Sequence, residues 1–189
     1  MIMGHYATAL VAYQATTENK KPANIWLYLA ASQLLDFAML VLVFLGIESF
    51  VAPEGGGSLA EVQAYLPYSH HAVPAVIWAT VASGLSYAFL KDRYVALWVF
   101  VLMIGHEVLD MIAGFQHYVF GRDTPAIGLG LYSSAPLAGI IIEAVLCLGI
   151  CLWFFYRRSK TGEPVSWTRR ILLLMVLVGG TLSLIPAEL

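Results

Sequence analysis

The residues of this sequence that could do chemistry are histidines and acids placed in apolar segments. All five histidines lie in or at the edge of such segments: His5, His70, His71, His106 and His117. Four acids lie inside long apolar runs: Asp36, Glu107, Asp110 and Glu143. No Lys or Arg lies near these acids in the runs, and a buried charge at membrane depth is costly. Bound protons, a metal cation or the histidines could neutralise them.

The spacing of these residues favours a metal. His106 and Asp110 are one helical turn apart and share a helix face. Imidazole nitrogens and carboxylates from several helices are the donors that divalent zinc, manganese or iron prefers. The sequence therefore predicts a divalent metal site, with zinc as the first choice. Five residues are the predicted ligands: His5, Asp36, His70, His106 and Asp110.

Two further acids are the predicted proton-transferring groups. Glu107 points about 100° away from His106 on the helix, so the two cannot easily bind one ion. Glu107 could act as a general base or could orient a ligand. Glu143 could carry protons or could be a protonated packing residue. The pattern leaves open whether His71 and His117 take part in the site.

Membrane-spanning helices are the elements that must position these side chains. Of the 189 residues, 60% are hydrophobic and 12% are charged, and the mean hydropathy is +0.78. A soluble domain is about a quarter charged, so this composition excludes a disordered chain and argues against a water-soluble globule. The net charge of -2 gives no reason to expect nucleic-acid binding. We expect an all-α polytopic transmembrane helix bundle that forms a single domain over residues 1–189.

Apolar runs of about 20 residues, the length that crosses the hydrocarbon core, predict five long helices. A short apolar helix precedes them, and its length leaves open whether it crosses. The predicted helices cover approximately residues 2–16, 25–47, 72–90, 94–118, 135–156 and 171–186.

Basic residues predict the orientation. Nine of the ten Lys and Arg residues lie in alternate loops: Lys20, Lys21, Lys91, Arg93, Arg157, Arg158, Lys160, Arg169 and Arg170. The remaining one, Arg122, lies in a loop on the opposite side. The positive-inside rule then makes the basic loops cytoplasmic. We expect a multi-pass protein of the inner membrane, with the histidines and acids toward the periplasmic side.

Four short motifs, in this order and spacing, resemble a bacterial family. They are Gly4-His5, Leu35-Asp36, Pro67-Tyr68-Ser69-His70 and His106-x-x-x-Asp110. Over about residues 4–150 the chain is similar to small inner-membrane proteins described as membrane-bound metal-dependent hydrolases. It is more distantly similar to zinc-dependent phospholipase C proteins. The resemblance implies a polar site made of the five predicted ligands named above.

Two functions fit these features. The first is a metal-dependent hydrolase that acts on a lipid-linked or membrane-proximal ester, particularly a phosphoester. The second is a non-enzymatic role, either as a proton or metal-ion pathway or as a subunit of a larger membrane complex. A pathway should reach both faces of the membrane, whereas the cytoplasmic halves of the helices are apolar. A haem or other redox-metal site is a weaker third alternative, because carboxylates are poor haem ligands.

Overall fold

Helices make up most of the computed structural model, which describes residue 1 and residues 3–19, 24–51 and 57–188. The α-helices are α1 (Met3–Glu18), α2 (Ile25–Ser32), α3 (Leu34–Phe44), α4 (Ala72–Leu90), α5 (Arg93–Ala113), α6 (Leu131–Ser134), α7 (Pro136–Lys160), α8 (Trp167–Leu174) and α9 (Gly180–Leu182). A π-helical segment, Met175–Gly179, joins α8 to α9. Short 3-10 helices cover Leu59–Glu61 and Ile185–Glu188.

Two small antiparallel hairpins lie outside the helices. Strand β1 (Ser49–Val51) pairs with β2 (Gln63–Tyr65), and β3 (His117–Tyr118) pairs with β4 (Ala126–Ile127). The sequence did not predict these hairpins, because strands of two or three residues carry too little periodicity to be recognised.

Several helices have the length and composition of membrane spans. Four helical stretches qualify: Ala72–Leu90, Arg93–Ala113, Pro136–Lys160 and Trp167–Glu188. The pair α2 and α3 qualifies as a fifth if it is one bent span. The prediction of a mostly helical protein is therefore confirmed, with four or five helices that are long and apolar enough to cross a membrane. Helix α1 has 16 residues and packs against α2, α5 and α7.

The predicted helix over residues 25–47 is divided. It breaks at Gln33, where φ is -115° and ψ is 6°, and the axes of α2 and α3 differ by 51°. The Ser32 carbonyl at the end of α2 accepts a hydrogen bond from His106 Nδ1 at 2.8 Å. The last carbonyls of a helix lack intrahelical partners, so a break supplies an acceptor inside the bundle.

The predicted helix over residues 94–118 ends early. Helix α5 stops at Ala113, and Gly114 leads the chain away with an extended backbone. His117 therefore lies in β3 and not on a helix. The last two predicted spans are longer than expected, since α7 reaches Lys160 and the final helical stretch begins at Trp167.

Basic residues collect at one end of the bundle. Arg157 Nε at the end of α7 donates to Glu18 Oε1 at 2.8 Å, which joins it to the end of α1. Asn19 Nδ2 donates to the hydroxyl of Tyr94 at 2.8 Å, which brings the start of α5 to the same end. Lys20 and Lys21 lie outside the described residues. The site described below lies toward the other ends of α1 and α5.

The loop after α5 depends on a glycine. Gly128 has a φ of +86°, and a Cβ there would collide with the backbone carbonyl of Met111 in α5. We expect Gly128→Ala to lower the free energy of unfolding by more than about 1 kcal/mol, because strain and collision act together. Thermal unfolding in detergent measures this. Gly149→Ala, in α7 with open space at the Cβ position, should be neutral or slightly stabilising. Equal stability of Gly128→Ala and Gly149→Ala would contradict the proposed packing.

Candidate metal centre

Four ligand-type atoms converge between α3, α5 and the turn before α4. His70 Nε2 lies 3.3 Å from both His106 Nε2 and Asp36 Oδ1. Asp110 Oδ2 lies 3.3 Å from His106 Nε2 and 3.7 Å from His70 Nε2. Asp36 Oδ1 lies 3.7 Å from His106 Nε2. Two nitrogens and two carboxylate oxygens thus form a compact group.

The separations within this group suit a tetrahedral ion. Zinc binds nitrogen and oxygen at about 2.0–2.2 Å, so neighbouring ligands of a regular tetrahedron lie about 3.3–3.6 Å apart. The five separations given above run from 3.3 to 3.7 Å. Within this group, His70, His106 and Asp110 are buried and could hold a metal ion together.

The hydrogen bond of His106 fixes which of its nitrogens can bind a metal. A backbone carbonyl only accepts, so the Ser32 contact places the imidazole proton on Nδ1. The Nε2 of a neutral His106 then carries a lone pair that faces the carboxylates of Asp36 and Asp110. Electron-rich atoms this close repel one another unless a cation or a proton lies between them. The arrangement is therefore typical of a cation site.

His5 completes the predicted ligand set. Its ring stacks on His106 with the centroids 3.5 Å apart, and its Nε2 lies 3.1 Å from Asp110 Oδ1. Ligand-type atoms of His5, Asp36 and His106 also form a group that could hold a metal. The amino group of Met1 contacts the same Asp110 oxygen. The structure thus brings all five predicted ligands together.

His70 has a second contact that involves an acid absent from the predicted set. Its Nδ1 lies 2.8 Å from Ser69 Oγ, which donates to Glu48 Oε2 at 2.7 Å. Glu48 is only 5% exposed, although it follows a predicted span. Its other oxygen, Oε1, accepts the backbone N–H groups of Tyr68 and Ser69 at 2.7 and 2.8 Å. The sequence showed Ser69 in a motif but gave no signal that Glu48 would reach it.

The two predicted proton carriers differ in their surroundings. Glu107 Oε1 lies 3.0 Å from His117 Nδ1, and its buried Oε2 has no hydrogen-bond partner among the described residues. Glu143 accepts from the Gly4 backbone N–H at 2.8 Å and from the Tyr132 hydroxyl. Both oxygens of Glu143 are therefore engaged in joining α1 and α6 to α7.

The remaining histidine, His71, precedes α4 and packs against the rings of Tyr65 and Tyr118. It belongs to neither potential metal group. Burial, followed by the neighbouring His117, lowers the pKa of His71 below its ordinary value.

A cavity of about 590 Å³ opens beside the cluster. This volume lies in the range of small-molecule sites. Its polar wall consists of Asp36, His70, Asp110, His117 and Glu143, with Gln33, Thr181 and Ser183. Large apolar side chains form most of the remaining lining, among them Phe37, Met39, Leu40, Phe50, Leu66, Phe115 and Leu184. The cavity therefore has ionisable residues on one part of its wall and apolar residues on most of the rest.

Comparison with known proteins finds no family model, no curated protein and no solved structure that matches this chain significantly. The motif resemblance described above therefore stays a prediction.

The Tyr132 contact with Glu143 yields a stability prediction. Burial, followed by the nearby Glu143 carboxylate, raises the pKa of Tyr132, so its hydroxyl donates at neutral pH. Tyr132→Phe leaves a buried carboxylate oxygen short of a donor, and we expect a loss of about 1–3 kcal/mol in unfolding free energy. Thermal unfolding in detergent, with the exposed-site variant Tyr87→Phe as control, measures it. Adding Glu143→Gln should restore part of the loss. Wild-type stability in Tyr132→Phe would show that the hydrogen bond contributes nothing.

Proposed function

We propose that this protein is a membrane-embedded metal-dependent hydrolase of a lipid-linked or membrane-proximal phosphoester. One observation carries the proposal: three residues of the histidine and aspartate cluster, Asp36, His70 and Asp110, line a largely apolar cavity. A phosphoester headgroup fits beside the cluster, and a hydrocarbon chain fits against the apolar lining. We further propose that the protein lies in the inner membrane with this cavity toward the periplasm.

Zinc is the proposed metal, because the donors are imidazoles and carboxylates at tetrahedral separations. His70, His106, Asp36 and Asp110 would hold it. A bound zinc ion supplies a Lewis acid for a phosphoryl oxygen and makes water acidic near neutral pH. His5, through its contact with Asp110 Oδ1, would keep that carboxylate oriented.

The Glu107–His117 pair is the proposed proton carrier. His117 lines the cavity, and Glu107 Oε1 would accept a hydrogen bond from His117 Nδ1. The Nε2 of His117 can then take up or release a proton at the cavity wall. Glu143 is the weaker candidate for this role, since both of its oxygens already accept hydrogen bonds.

The core between the site and the basic end argues against a pathway through the membrane. Most of its buried side chains are apolar in the part of the chain that the structure describes, including Ala9, Ala12, Val99, Leu102 and Met103 on one side and Ala7, Leu10, Cys147 and Cys151 on the other. The buried polar residues Gln14 and Thr16 lie close to the basic end. Proton or ion transport needs polar groups that continue to the second face. The apolar core therefore favours a site that is open on one side.

Metal content tests the proposal directly. Protein purified in neutral detergent without chelator should contain about one zinc ion per chain, because His70, His106 and Asp110 could hold one ion together and Asp36 Oδ1 lies 3.3 Å from His70 Nε2. His106→Ala should lose that zinc, as measured by elemental analysis. His71→Ala is the matched control, since His71 lies beside the cluster but in neither potential metal group, and it should retain the metal. Wild-type protein that binds no metal after incubation with zinc would overturn the proposal. Its co-purification with a larger complex would then support the subunit alternative.

The apolar lining of the cavity predicts a preference for chain length. Met39 lines the cavity in α3, whereas Phe44 on the same helix is 90% exposed and does not line it. We expect Met39→Trp to lower hydrolysis of a long-chain alkyl phosphodiester relative to a short-chain one by at least about tenfold, because the larger ring fills space that the chain needs. Phe44→Trp should leave the ratio unchanged. Equal ratios in both variants would contradict binding of the chain in this cavity.

A further inference from the structure

The least expected feature near the cluster is a buried carboxylate at the end of a short hydrogen-bond chain. Glu48 has no basic partner among the contacts described, yet three donors surround it: the N–H groups of Tyr68 and Ser69 and the hydroxyl of Ser69. Burying such an anion is costly, and three hydrogen bonds offset that cost. The hairpin formed by β1 and β2 lies between Glu48 and Ser69, so these contacts also close its base.

With Glu48 ionised, the donors and acceptors between Glu48 and His70 have only one consistent order. A carboxylate accepts only, so the single hydroxyl proton of Ser69 points to Glu48 Oε2. The Ser69 oxygen can then only accept from His70 Nδ1, which lies 2.8 Å away. The proton of a neutral His70 must therefore be on Nδ1. His70 Nε2 is then unprotonated and directs its lone pair at the cluster, as His106 Nε2 does.

We propose that Glu48, acting through Ser69, is a positioning residue that fixes the tautomer of His70 and keeps its Nε2 free to bind a cation. The inference rests on the metal site proposed above, and it concerns a residue that does not touch the cluster. With both nitrogens unprotonated, a cation between them explains why His70 Nε2 and His106 Nε2 can lie 3.3 Å apart, since the cation attracts both lone pairs. Partners of this kind typically change metal affinity by about 10–100-fold.

Replacing Glu48 with its amide gives the sharpest test. In Glu48→Gln the amide oxygen can still accept both backbone N–H groups, so the base of the hairpin is retained. The amide nitrogen then donates to Ser69 Oγ, and the hydroxyl of Ser69 turns to donate to His70 Nδ1. The direction of both hydrogen bonds between residue 48 and His70 is then reversed. The His70 proton moves to Nε2, where it blocks the ligand position.

The Ser69→Ala variant separates this role from simple structural support. It removes the link between Glu48 and His70, yet leaves the two backbone contacts of Glu48 in place. His70 is then free to adopt either tautomer, so the metal should bind with only a moderate penalty. A purely structural role would instead make metal affinity follow the loss of folding stability in the two variants.

Zinc affinity, measured by competition with a chelating dye, should fall about 100-fold in Glu48→Gln and about tenfold in Ser69→Ala. Glu61→Gln, an exposed position between β1 and β2, is the matched control and should stay within about twofold of wild type. Nitrogen–proton correlation spectra of the metal-free protein report the tautomer of His70. We expect the Nδ1-protonated form in wild type and the Nε2-protonated form in Glu48→Gln.

Two results would overturn the inference: an unchanged His70 tautomer in Glu48→Gln, or wild-type zinc affinity in that variant. The spectra of the metal-free protein do not depend on zinc binding. If the wild type fails to bind zinc, the proposed function fails, while the spectra still decide whether Glu48 sets the tautomer of His70.

Discussion

Two aspartate carboxylates and an unprotonated imidazole nitrogen lie close together inside an apolar bundle, and much of the structure positions these three groups. Asp36 and Asp110 come from different helices and meet the Nε2 of His106 at 3.7 and 3.3 Å. Such electron-rich groups are stable out of water only with a positive charge between or beside them. The amino group of Met1 contacts the other carboxylate oxygen of Asp110, Oδ1, and a metal ion would offset both carboxylates.

Irregular backbone supplies contacts that orient the imidazoles and that regular helices would not make. The break at Gln33 provides a carbonyl that fixes the tautomer of His106, and the early end of α5 lets His117 fold back toward Glu107. The hairpin of β1 and β2 returns the chain so that Ser69 meets Glu48. Helices thus place the ligand-type atoms, while breaks and hairpins orient the imidazoles.

The sequence predicted the ligands better than it predicted the parts that orient them. His5, Asp36, His70, His106 and Asp110 stood out because ionisable groups are rare in apolar runs, and the structure brings them together. Glu48 did not stand out, because an acid at the end of a span looks like an ordinary surface charge. The break at Gln33 was hidden by a continuous apolar run, and His106, which donates to the Ser32 carbonyl beside the break, is 74 residues away along the chain. Local periodicity carries no information about such contacts.

X-ray absorption at the zinc edge of the purified, zinc-loaded protein measures the coordination of the metal itself. We expect about four nitrogen and oxygen neighbours at about 2.0–2.2 Å, with the scattering pattern of two imidazole rings. Cys147 and Cys151 belong to an apolar cluster, so no sulfur neighbour should be present. A sulfur neighbour at about 2.3 Å, or a shell of water oxygens without imidazole, would contradict a zinc site built from His70, His106, Asp36 and Asp110.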